Sequence, residues 1–329
     1  MIPPATSSAL PATMIAAPRA KKIRDIHVGD RIFHRLVWVF AVLIAVVLGA
    51  VAWNLLSLSL PIWKSIGLGF LTSQEWNPVS EEFGAAAFIW GTLVSSLVAL
   101  VFSVPVSVGV ALLLNEVLPG WVERSLGFLV EMLAAIPSVV YGLWGVFVLA
   151  PGLREYVQPF LGEKLGFLPL FQGAPYGVGM LAAGLILAIM ITPTITAICR
   201  EVFRAIPDGQ REAALALGAT RWEMMRVAVL STAKSGILTA VIMGLGRAFG
   251  ETMAVTMVIG NRAEISMSLF APAQTMASVI ANEYAEAEGD LHLASLAAVG
   301  LTLFLVSFAI NSLARFLLWR FGGSKGGRA

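Results

Sequence analysis

GMLAAGLILAIMITPTITAICREVFRAIPDGQREAALALG, residues 179–218, passes from a long apolar run to a charged, turn-rich segment. From Gly179 to Cys199 it carries no charged side chain. That run is about 20 residues, the length a helix rising about 1.5 Å per residue needs to cross a hydrocarbon layer of about 30 Å. Lipid offers the backbone no water to bond, so the run has to be helical. At Arg200 the character changes: Arg200, Glu201, Arg204, Asp208, Arg211 and Glu212 follow in close succession, marking an exit into water. Asp208, after Pro207, is placed to cap a short helix through Ala216, and Gly218 to end it in the left-handed conformation. Thr220-Arg-Trp-Glu223 then reads as a capping box that starts a second helix back toward the membrane.

Five further apolar runs flank this one, near Leu36–Leu60, Phe88–Leu114, Leu126–Leu149, Gly236–Ile259 and Leu293–Leu318. The 329 residues are 58% hydrophobic and 13% charged, against about a quarter charged in a soluble domain, so the surface has to face lipid. Nine Trp suit the headgroup level. The expected class is an all-α membrane protein with about six transmembrane helices. Residues 1–35 are expected to form a partly disordered N-terminal segment whose basic cluster precedes an uncleaved anchor. Residues 36–318 are expected to form the transmembrane domain, with a connector at about 200–234, and 319–329 a tail. Pro105, Pro137 and Pro193 interrupt the spans, as packing kinks or as hinges that line a path.

Positive charge sets the orientation. Arg19, Lys21, Lys22, Arg24, Arg31 and Arg35 precede the first span, and Arg124 follows the second. Arg200, Arg204, Arg211, Arg221, Arg226 and Lys234 follow the fourth, and Arg315, Arg320, Lys325 and Arg328 the sixth. With six alternating passages these seventeen fall on one side, against Lys64, Arg154, Lys164 and Arg262 on the other, which predicts cytoplasmic termini. The last external loop is acidic, with Glu283, Glu286, Glu288 and Asp290.

Catalytic signatures are missing. Gly is never followed by Lys, so there is no phosphate-cradling G-x-x-x-x-G-K-[ST] loop and no ATPase site of the chain's own. Neither H-E-x-x-H nor G-x-S-x-G occurs. His27, His34 and His292 show no metal-ligand spacing, and Cys199 reads as a small packing residue. No catalytic residue, metal, bound cofactor or nucleic-acid partner is expected.

Two features carry the functional reading. Arg247 and Glu251 lie four apart in the fifth apolar run and are expected to share one helical face. A charge at that depth costs at least a few kcal/mol. Either the pair neutralises itself, or Arg247 offers its planar fork of donors to an oxyanion while Glu251 competes for it. Gly246 and Gly250 bracket the arginine and would admit a partner helix closely.

The second feature is the connector, where Glu212-Ala213-Ala214, three residues, then Gly218 resembles the core of the coupling loop of permease subunits in bacterial ATP-binding-cassette importers. The later Leu-Pro of that loop is replaced here by Leu230-Ser231. GLGRAFGETMAV, residues 244–255, resembles the matching helix of phosphate-importer permeases of the PstC type, as do Ile136–Gly142 and Ala277–Glu283. The resemblance covers roughly Val37 to Leu318. It implies a type I importer permease bundle in the inner membrane, half of a heterodimer with a PstA-type permease. It also implies two PstB-type ATPases that use ATP and Mg, a PstS-type phosphate-binding protein outside, and inorganic phosphate as cargo. Rival expectations are a permease for molybdate or sulfate, and an intramembrane enzyme.

Overall fold

The computed structural model describes residues 28–322. The basic cluster Arg19–Arg24, the disorder expected around it, and Lys325 and Arg328 lie outside the described residues.

The described residues are mostly helical, with one small hairpin and a non-helical stretch between Ile259 and Thr275. Helix α1 is Val28–Ser65. Strands β1 (Trp76–Asn77) and β2 (Glu82–Phe83) pair antiparallel, Trp76 opposite Phe83. Asn77 Oδ1 accepts from the amides of Val79 and Ser80 and so folds the turn. Then come α2 (Ala86–Val117), α3 (Gly120–Ala134) and α4 (Ser138–Leu165). They are followed by α5 (Met180–Arg204), α6 (Asp208–Ala216) and α7 (Arg221–Phe249). The last are α8 (Met253–Val258), α9 (Met276–Glu283) and α10 (Asp290–Gly322).

Five of these are long and apolar enough to cross a membrane: α1, α2, α5, α7 and α10. The run expected as one helix at Leu126–Leu149 is instead the pair α3 and α4, bent by 88°, which makes a sixth passage when the two are counted as one span. Pro137 explains the correction. It supplies no amide donor, biases Ile136 away from the helical region, and itself sits extended at ψ 139° as the N-cap of α4. The fifth run also differs from expectation. Its helix begins at Arg221, well before Gly236, and stops at Phe249; α8 restarts at Met253.

Two compact units divide the chain at Ala50. In the first, the described helical residues expose Ile32, Phe33, Leu36, Trp38, Val39 and Phe40 around the whole circumference, the mark of a span bathed in lipid. In the second, α5 is central, and α2 packs along it. The α2 face presents Ser95, Ser96, Ala99, Ser103, Ser107 and Ala111, all buried. Small side chains let the backbones approach, the source of helix cohesion where lipid cancels the hydrophobic drive. A smaller core gathers Phe70, Phe83, Phe88, Met276, Val279 and Leu296. There Glu283, the last residue of α9, accepts a hydrogen bond from the Trp76 indole at 2.8 Å and meets His292 Nε2 at 3.2 Å.

Candidate functional site

Two sites emerge: an elbow between α5 and α7, and a helix break after α7.

The elbow folds largely as its sequence predicts. Helix α6 covers Asp208–Ala216 and Gly218 takes φ +85°, the left-handed turn that glycine accepts without strain. Thr220 and Glu223 form the expected capping box: Thr220 Oγ1 accepts from the Glu223 amide at 3.3 Å, and Glu223 Oε2 accepts from the Thr220 amide at 2.8 Å. Asp208 departs from expectation. Pro207 is the N-cap, and the Asp208 carboxylate turns to Arg211 at 3.1 Å. Glu212, Ala213, Leu215 and Gly218 are exposed and Ala214 half-buried. Leu217 and Trp222 are exposed as well, 89% and 61%, so the elbow presents an apolar surface beside a carboxylate.

Arginines anchor the elbow to the bundle. The Arg211 guanidinium forks onto the Glu116 carboxylate, Nη2 to Oε1 at 2.9 Å and Nε to Oε2 at 3.2 Å. Hydrogen bonding to Glu116 raises the already high pKa of Arg211, against the effect of burial. One turn before the elbow, Arg200 is buried and bonds Glu123 at 3.1 Å and Glu131 at 3.2 Å, while Arg204 reaches the same Glu123 carboxylate. Gly127 makes room, since a Cβ there would overlap the Arg200 guanidinium. No local pattern in the sequence announces these contacts. Their partners lie 69 to 95 residues apart in sequence, so the only signal was the presence of carboxylates at span ends.

At the second site the expected Arg247–Glu251 pair on one helical face does not form. Helix α7 ends at Phe249 with Gly250 as its C-cap, and Glu251 falls in the break. Glu251 Oε1 accepts from the Ala254 amide at 3.2 Å, closing the first turn of α8, where a carboxylate also suits the helix dipole. Arg247 lies in the last turn of α7, the end that favours a cation. It is half-buried, and Nη1 donates to Thr194 Oγ1 at 3.3 Å, its only hydrogen-bond partner among the described residues. Thr194 follows Pro193, which sits buried inside α5 without ending it. Pro137, by contrast, stands at the 88° bend. Gly246 faces open space and Gly250 nearly so; the glycine of close contact is Gly244, where a Cβ would lie 2.7 Å from Ile195 Cδ1. The Ile136–Gly142 stretch lies against this break too, since a Cβ on Gly142 would meet Ala254 of α8 at 3.1 Å.

The family of binding-protein-dependent transport system inner membrane components matches residues 103–321. The chain is 45% identical over 326 residues to the phosphate transport system permease protein PstC of Mesorhizobium japonicum, covering 98% of this chain and 99% of that one. Identity is 44% to the protein of the same name from Pasteurella multocida, covering 91% and 95%. It is 35% to a probable phosphate transport system permease protein PstC of Methanocaldococcus jannaschii, covering 86% and 91%. Among solved structures, a bacterial ABC transporter involved in import of the acidic polysaccharide alginate aligns with TM-score 0.53 at 18% identity, covering 90% of this chain and 100% of that one. The bacterial alginate ABC transporter in complex with its alginate pentasaccharide-bound periplasmic protein aligns with TM-score 0.54 at 16% identity, covering 88% and 98%. At those identities the likeness speaks to fold alone.

Proposed function

The chain belongs to the binding-protein-dependent transport system inner membrane component family, and from that premise we propose that it is the permease subunit of an ATP-driven phosphate importer. The observation that carries the reading is identity of 45% and 44%, over nearly the whole chain, to relatives named phosphate transport permeases. The chain is a multi-pass membrane protein and a transport subunit rather than an enzyme. In this proposal it forms half of the pathway beside a PstA-type permease. Two PstB-type ATPases dock below the permease pair, one of them on this elbow, where Glu212, Ala213, Ala214 and Gly218 shape the contact and Leu217 and Trp222 supply apolar area. They use ATP and Mg; this chain binds neither. A PstS-type protein delivers phosphate from outside.

Arg247 is the residue proposed to meet the anion. Phosphate is a tetrahedral oxyanion, and a guanidinium offers five N–H donors in a fixed fork. One of them is directed to Thr194, which orients the group and leaves the others for cargo. Arg247 lies in the last turn of α7, beside a helix break, the setting in which membrane carriers expose backbone and charge to a path. Glu251, in the break, is engaged with the Ala254 amide at the start of α8, so it leaves Arg247 free to meet the anion.

The proposal predicts ATP-dependent phosphate accumulation by proteoliposomes holding the full complex with its binding protein. Sulfate and molybdate at equal concentration are expected to leave it unchanged. Accumulation of one of them in place of phosphate would overturn the cargo assignment; no accumulation of any anion would overturn the transport reading. For orientation, the seventeen-to-four charge asymmetry supports cytoplasmic termini, with α3 and α4 counted as one passage. A cytoplasm-dependent reporter fused after Lys325 is expected to be active. Signal there from a reporter that works only outside would sink that arrangement.

A further inference from the structure

The Glu116–Arg211 fork does something that neither the coupling-loop resemblance nor the relatives assign. Glu116 closes the π-helical last turn of α2, Leu113–Val117, and its side chain is 5% exposed; that of Arg211, on α6, is 15% exposed. Beyond the two carboxylate oxygens, Arg211 Nη1 donates to the Ile206 carbonyl at 2.5 Å and Nη2 to the Phe203 carbonyl at 2.8 Å. Those two carbonyls belong to the end of α5 and the turn just after it, where helical partners run out. Asn115 Nδ2 in turn donates to Glu116 Oε1 at 2.7 Å and fixes the carboxylate. One guanidinium therefore ties three elements together: the elbow helix, the end of α2 and the end of α5.

An apolar contact at this place would hold the elements together but let them slide. A bidentate charge-assisted fork is directional and resists sliding. What lies up the bundle gives the tie its consequence. Helices α2 and α5 pack along their lengths, and α5 carries Thr194, the partner of Arg247. Displacement of α6 thus has a continuous, stiff route to the residue proposed to hold the anion.

We propose that the Glu116–Arg211 fork is the joint that passes movement of the elbow into the α2–α5 pair, so that ATP hydrolysis on a partner is converted into transport. Arg211 and Glu116 are positioning residues: neither touches cargo. The inference rests on the importer reading given above, and its test separates the two.

The measurement is ATP hydrolysed per phosphate imported, by the full complex in proteoliposomes, for Arg211→Lys and for Glu116→Gln. Lysine keeps the charge and loses the fork. Hydrolysis is expected to stay within about twofold of wild type while uptake drops, raising the ratio about tenfold, the size of a typical coupling between sites. A third variant, Glu116→Cys with Arg211→Cys, is made in a Cys199→Ala background, since Cys199 is the only native cysteine. Bridging the new pair with a short thiol-to-thiol cross-linker is expected to bring the ratio back toward that of the background. Unchanged ratios in both single variants would overturn the joint. So would parallel loss of hydrolysis, uptake and assembled complex, or assembly of the double-cysteine form only after bridging, because each describes a structural clamp. A wild-type complex that imports a different oxyanion fails the phosphate assignment and leaves the ratio test intact on that anion.

Discussion

Phosphate uptake per assembled complex is expected to fall at least about tenfold when Arg247 becomes lysine, and further when it becomes leucine, since hydrogen bonds to a charged group contribute about 1.5–3 kcal/mol each. Lysine retains the positive charge but presents a compact ammonium in place of a planar fork, so the lysine variant isolates geometry from charge. The structure sharpens this comparison. If Arg247 and Glu251 merely neutralised one another, leucine at both positions would restore a working protein. Here they are separated by the break at Gly250, and each has a different partner, Thr194 and the Ala254 amide. Glu251→Leu alone is therefore expected to weaken the start of α8 by about 1 kcal/mol, as lost helix caps do. The double leucine variant is expected to insert and assemble, yet not transport. Near-normal uptake by that variant would refute a pathway role for Arg247.

Gly218→Val is expected to dislodge the elbow without unfolding the bundle. No heavy atom lies near enough to clash with an added Cβ, so the cost comes from the backbone alone. At φ +85° a β-branched residue is strained by about 1–3 kcal/mol. The chain relieves that strain by moving the turn, which shifts Leu217 and Trp222 relative to Glu212. Recovery of ATPase with the purified permease is expected to drop, with membrane insertion unchanged. Gly218→Asn, which tolerates the left-handed region better, is expected to lose less. Full ATPase recovery and full transport with valine would remove the elbow from the coupling role.

Local features of the sequence read well. The elbow needed only residues within a few positions of one another: Asp208 to Ala216 as a helix, Gly218 as its stop, Thr220 and Glu223 as a reciprocal cap. Apolar runs of about 20 residues or more, poor in charge, mark the spans, because scarcity of charge is legible without knowing any partner. The two misreadings share a cause. At Leu126–Leu149 and Gly236–Ile259, hydropathy continues across positions where the backbone turns, and hydropathy does not see the turn. Pro137 marks a kink or hinge in the sequence; that the chain bends there by 88° depends on what α3 and α4 pack against.

The bend that splits the third run is not legible from sequence, whereas the solvent this protein lives in, its apolar runs, and the elbow between the fourth and fifth of them are. Composition and short-range pattern fix these, since lipid exposure and helix caps are local matters. Which polar and charged groups meet is a matter of how the helices pack. Arg200 with Glu123 and Glu131, Arg211 with Glu116, and Arg247 with Thr194 are contacts between side chains 53 to 95 residues apart. A charge near lipid must find a partner, but the choice among carboxylates and hydroxyls rests on how α2, α3 and α5 pack, and on gaps such as the one that Gly127 leaves for a guanidinium.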